Sequence, residues 1–146
     1  MRLLKWKLLL RSVARLIKMN GKLVDTNVII RFFKGQTELF SLFDDMENLY
    51  ISSITVGELM YGAELSKKSD FNRDNYFCFC QQMKVLYPDL EVAKSYGKIK
   101  ASLKAKGKTI PENDIWIAAT CHAADLNLIT TDSDFDFIDQ IFVEKI

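Results

Sequence analysis

Along this chain, short apolar runs alternate with longer stretches in which apolar residues recur every three or four positions, the rhythms of buried strands and of amphipathic helices. Leu23-Val24 reads as a first strand running into the cap-forming Asp25-Thr26-Asn27. Helical spacing follows over Val28–Phe33 and, after Gly35, over Thr37–Glu47. Leu49–Ser52 is a second expected strand, with Ser53 and Thr55 as candidate caps for a helix over Val56–Leu65. A further helix is expected over Phe71–Met83, then a short strand at Val85-Leu86-Tyr87 closed by Pro88. Leu90–Lys106 has helical spacing and ends at Gly107. Pro111–Asp114 opens a helix whose Ile115–Ala124 segment is nearly all apolar, as in a helix buried on most sides. Asn127–Thr130 is another strand, Asp132–Asp136 a loop, and Ile141–Val143 a last edge strand. Short apolar strands alternating with helices predict an α/β domain with a mainly parallel sheet.

At 146 residues the chain is one domain long and needs no metal or disulfide to fold. Its 6 Gly and 2 Pro argue against a turn-rich all-β sandwich. No 18-residue run is apolar enough for a membrane span. The net charge of +1 conceals an uneven distribution. Arg2, Lys5, Lys7, Arg11, Arg15 and Lys18 put six cations and no acid in residues 1–18. Subtracting them from 20 leaves 14 cations against 19 acids in residues 19–146, a net of −5. Trp6, Leu9, Leu10, Val13 and Ile17 share a face at helical spacing, opposite Lys7, Arg11, Arg15 and Lys18. Residues 1–20 are therefore expected to be a basic amphipathic extension ahead of a folded unit at 21–146. It is either an arm for a membrane surface or nucleic acid, or the product of a start codon assigned too early, with Met19 the natural beginning. It lacks the uninterrupted apolar stretch and the cleavage site of a secretory signal.

Four acids acquire meaning from this order of elements. Asp25 ends the first strand, Glu58 lies early in the helix after the second, Asp114 opens the buried helix, and Asp132 follows the strand at 127–130. All four fall at the carboxyl ends of the strands, where open α/β sheets bind their ligands. Singly, they have ordinary roles as a cap, a macrodipole partner, a solvated residue and a turn residue. Together, crowded carboxylates repel unless a cation compensates, and oxygen donors without His or Cys select Mg²⁺ or Mn²⁺. The single histidine, His122, is expected to pack in the core and leaves no His-dependent nucleophile. Cys78, Cys80 and Cys121 match no zinc or redox spacing and are expected to be buried, reduced thiols. Lys94, Lys98, Lys100, Lys104, Lys106 and Lys108 either lead a polyanion toward the acids or form a solvated helix face.

The segments LVDTNVII (23–30), SSITVGELMYGAELS (52–66), PENDIWIAATCHAADLNLITTDSDF (111–135) and the terminal IFVEKI resemble, in order and spacing, the PIN-domain ribonucleases, especially the VapC-type toxins of toxin–antitoxin pairs. The likeness runs from Gly21 to Ile146 and implies a three-layer α/β/α sandwich around a short, mainly parallel sheet. It implies a cytoplasmic endoribonuclease dependent on Mg²⁺ or Mn²⁺, a homodimer, and a small antitoxin whose tail blocks the acidic groove. Asp25, Glu58, Asp114 and Asp132 match the family's four acids, with Asp25, Asp114 and Asp132 as the implied metal ligands. Thr26 and Asn27 match the turn after the first strand, and Thr131 the polar residue before the fourth acid. Asp134 and Asp136 lie close enough in sequence to compete for that fourth place, and residues 1–18 have no counterpart.

Two other functions compete. Aspartyl-phosphate phosphatases also set an Asp at a strand end, but need a second Asp where this chain has Asn27. A catalytically silent RNA-binding or interaction module on the same fold is the non-enzymatic alternative.

Overall fold

The structure is a computed structural model that describes residues 21–146 together with residues 5, 6, 9 and 13. Most of the basic extension therefore lies outside the described residues. Five strands, β1 (Lys22–Val24), β2 (Leu49–Ser52), β3 (Lys84–Leu86), β4 (Asn127–Thr130) and β5 (Phe142–Lys145), form one sheet in the order β3-β2-β1-β4-β5. Every pairing is parallel, with Lys22 opposite both Leu49 and Asn127. The helices are α1 (Thr26–Phe33), α2 (Ser53–Glu64), α3 (Ser69–Gln81), α4 (Leu90–Ala105) and α5 (Glu112–Ala124), with 3-10 segments at Thr37–Asn48 and Ser133–Phe137.

The period-two alternation of the strands divides the interior into two cores. Leu23 and Leu128 face one way, into a core filled by Ile99 and Leu103 of α4 and Ile115, Ile117 and Ala118 of α5. Val24, Ile51 and Ile129 face the other way, against Val28 and Ile29 of α1, Leu59 of α2 and Cys80 of α3. A sheet buried on both faces needs near-continuous apolar strands, which is why those runs stood out in the sequence. The expected α/β/α layering is present, and the sheet is wholly rather than mainly parallel.

Several local expectations change. The Thr37–Glu47 helix is instead a 3-10 segment with a non-helical Asp45, whose carboxylate accepts a hydrogen bond from the Asn48 side chain at 2.7 Å. Such short polar side chains compete with the helical ladder. Helix α2 starts at Ser53 because Ser52, the last residue of β2, is its cap: Ser52 Oγ accepts from the Ile54 N–H at 3.1 Å. The Asp132–Asp136 loop is largely a 3-10 turn capped by Asp132. Cys80 and Cys121 are buried but Cys78 is exposed, because it lies on the solvent side of α3. His122 is half-buried, its Nδ1 within 2.8 Å of Ser95 Oγ. Gly107 stops α4 as expected, at a φ of +65° that only glycine adopts freely.

Candidate metal-dependent active site

Strand order places the site. The chain steps from β1 outward to β2 and β3, then returns to β4 and β5 on the other side of β1. The sheet's direction of winding reverses between β1 and β4, and the crevice beyond their carboxyl ends is where such sheets hold ligands.

Asp25 is the first residue past β1 and is 3% exposed. Its Oδ1 accepts the Thr26 N–H at 2.8 Å, capping α1, and its Oδ2 accepts the Thr130 hydroxyl at 2.7 Å. Thr130, the last residue of β4, also accepts the Asp132 N–H at 2.9 Å, so one buried threonine ties the two strand ends together. Asp132 Oδ1 accepts the Asp134 N–H at 2.9 Å. On the other flank, the Thr26 hydroxyl bonds Glu58 Oε2 and lies 3.2 Å from Thr55 Oγ1. The Asn113 amide donates to Glu58 Oε1 at 3.0 Å, linking α2 to the first turn of α5.

Asp114 faces this crevice from α5. It shares with Asp132 and Asp134 a set of carboxylate oxygens that all lie within 4.8 Å of one another. An octahedral ion about 2.1 Å from its ligands sets their oxygens about 3 to 4.2 Å apart, so these three acids stand near the spacing a Mg²⁺ site requires. Burial, then the charges of Asp25, Asp132, Glu58 and Asp134, push the Asp114 carboxyl up to about 7. Burial raises Asp25 to about 6 despite the hydrogen bonds from Thr130 and Thr26, with Glu58 and Asp132 adding to the rise. Uptake of a proton, foremost by Asp114, is the alternative to a compensating cation. Hard oxygen donors, free of His and Cys, fit Mg²⁺ or Mn²⁺.

All four acids singled out in the sequence therefore converge, and two of their assigned neighbours do so as well. Thr26 holds Glu58, and Asp134 joins Asp114 and Asp132. Asp136 turns away, exposed and 3.2 Å from Lys145. Asn27 is exposed on α1, Thr131 is half-buried, and Thr130 orients the acids through its bonds to Asp25 and Asp132. Sequence reasoning missed Thr130, Asn113 and Thr55. The only available signal was their position beside the acids or a cap. Among the six lysines, Lys100 pairs with Glu112, Lys94 lies 3.8 Å from Glu91, and Lys106 lies 2.5 Å from Asp139.

The PIN domain family profile matches residues 22–140. The chain is 37% identical over 110 residues to Ribonuclease VapC2 of Haemophilus influenzae, covering 74% of this chain and 83% of that relative. It is 32% identical over 127 residues to the tRNA(fMet)-specific endonuclease VapC of Salmonella typhimurium, covering 84% and 95%. Among solved structures, the DNA-bound VapBC of Salmonella typhimurium superposes with a TM-score of 0.82 at 31% identity, over 87% of this chain and 98% of that one.

Proposed function

The chain belongs to the PIN domain family, and from that premise we propose that it is a metal-dependent endoribonuclease, the toxin of a toxin–antitoxin pair. The observation that carries the chemistry is the convergence of Asp25, Glu58, Asp114, Asp132 and Asp134 in a half-buried crevice, where burial first and the neighbouring charges second raise the Asp114 carboxyl to about 7. An acidic pocket of this kind is unsuited to binding an RNA phosphodiester by itself, since both are anionic. It is suited to holding a cation that binds one.

Asp114, Asp132 and Asp134 would hold Mg²⁺ or Mn²⁺, with Asp25 completing the charge from beneath. When bound there, the ion polarises the phosphodiester and makes water a competent nucleophile at neutral pH. The protein's own part is positional. Thr130 and the Thr26 N–H fix both oxygens of Asp25, so its buried charge points into the crevice. Thr26 and Asn113 hold Glu58 at the rim, where its carboxylate can accept a proton from the attacking water. Hydrolysis then joins the water oxygen to phosphorus as the bond to the departing sugar oxygen breaks.

The proposed partner is a small antitoxin, a reading supported by the VapBC complexes among the similar structures; its tail would cover the acidic groove. The reading extends to a homodimer as the working form. Among the described residues no helix is long and apolar enough to cross a membrane. Purified protein is expected to cleave RNA with Mg²⁺ or Mn²⁺ and to stop on addition of EDTA. Asp114→Asn should reduce cleavage at least 100-fold, the scale on which removing one preorganised electrostatic group acts. Its thermal melt should be unchanged or raised, because the substitution relieves repulsion. Normal cleavage by Asp114→Asn would overturn the assignment, and RNA binding without any cleavage by the native chain would favour the silent module.

A further inference from the structure

The six lysines between positions 94 and 108 have unequal surroundings. Lys100 is occupied by Glu112 and by Tyr96 Oη at 2.9 Å, and Lys106 by the Phe137 carbonyl at 2.9 Å and by Asp139. Lys104 and Lys108 make no ion pair or side-chain hydrogen bond among the described residues. Lys108 lies over the Phe137 ring, 4.3 Å from its centroid. Both line a cleft of about 350 Å³ between the end of α4 and residues 107–111, with Thr109 and Glu112 on its rim and Leu103 and Ile115 in its floor. Glu112 and Ile115 belong to the same first turn of α5 that carries Asp114, so the cleft lies at the helix end that also presents the acidic pocket.

We propose that this cleft holds the nucleotide next to the scissile phosphodiester, its phosphate between Lys104 and Lys108 and its sugar and base over Leu103 and Ile115. The proposal rests on the nuclease reading and assigns the substrate contact that the acids alone do not supply. An approaching polyanion meets five carboxylates at the crevice, and cations not neutralised by neighbouring acids offset that repulsion where they adjoin it. A cationic rim over an apolar floor matches a nucleotide, which carries its charge at one end and a flat, weakly polar face at the other. The volume is at the lower end of the roughly 300–1,000 Å³ typical of small-ligand pockets, enough for one nucleotide but not for a duplex.

The test uses the full chain carrying Asp114→Asn, so that binding is read without cleavage, and a short single-stranded RNA labelled for fluorescence anisotropy. Adding Lys104→Ala and Lys108→Ala should weaken binding about tenfold or more at low salt. It should also reduce the slope of log affinity against log salt by about 0.7 to 1.4, the release expected for one or two phosphate contacts on a single strand. Lys67→Ala with Lys68→Ala, the same charge change at the far end of α2, should do neither. In the chain with Asp114 intact, the Lys104/Lys108 pair of substitutions should raise KM and leave kcat near its original value. An unchanged salt slope, or an equal effect from the Lys67/Lys68 pair, would overturn the proposal. Absence of cleavage by the native chain would instead remove the nuclease reading, and the anisotropy result would still decide whether the cleft binds RNA.

Discussion

Thr130 shows how much of the site depends on one hydroxyl. It is fully buried, donates to Asp25 and accepts from Asp132, and thereby joins the ends of β1 and β4. Thr130→Val preserves the shape but leaves a buried carboxylate oxygen without its donor, a loss of about 1 to 3 kcal/mol. The expected outcome is a lower urea midpoint for the metal-free protein, together with weaker Mg²⁺ binding by calorimetry as Asp25 and Asp132 lose their mutual alignment. Thr131→Val, the neighbouring substitution, should leave both measurements nearly unchanged. The sequence did not single out Thr130, for a physical reason. Successive residues at a strand end face opposite ways, and two adjacent threonines give no sign of which one turns inward. The acids were easier to find, because Asp25 and Asp114 adjoin apolar segments where an uncompensated carboxylate is costly.

At the scale of elements, the cap at the β2–α2 junction sets where Glu58 sits. Ser52 ends the strand and caps the helix in one residue, so the helix leaves the sheet without a loop and carries Thr55 and Glu58 directly over Asp25's neighbour Thr26. Ser52→Ala should cost about 1 kcal/mol of stability in chemical denaturation, with cleavage falling further than that loss explains because Glu58 shifts with the helix. The sequence offered Ser53 and Thr55 as caps, whereas the structure caps the helix with Ser52, the residue that ends β2. By contrast, β2 and β4 were legible to the residue, since each is an apolar run bounded by polar side chains and buried on both faces. The segment at 37–48 was not, because apolar periodicity does not separate a 3-10 from an α-helical turn or register the kink at Asp45.

For the whole molecule, the crowded acids make stability depend on pH and metal together. Asp25 and Asp114 have carboxyls raised in the folded state from 3.8 to about 6 and about 7. The native metal-free protein therefore binds these protons more tightly than the unfolded chain does. Their contribution is fully present below about pH 4 and is lost as the pH rises through about 6 to 7. Metal-free protein should accordingly melt several degrees lower at pH 8 than at pH 5.5. Added Mg²⁺ should restore most of that difference at pH 8 and do little at pH 5.5, where protons occupy the same oxygens. A melt that stays level across this range, with or without the ion, would show that the carboxylates do not interact as their spacing requires.

The hydrogen bond between Thr130 and Asp25 spans 105 positions of the chain, across the pairing of β1 with β4. A polypeptide emerging from the ribosome therefore carries Asp25 and Glu58 long before it carries the rest of the pocket. Until Thr130 and Asp132 join them the nascent chain has no assembled crevice, and a synthesis aborted earlier releases a fragment that lacks one.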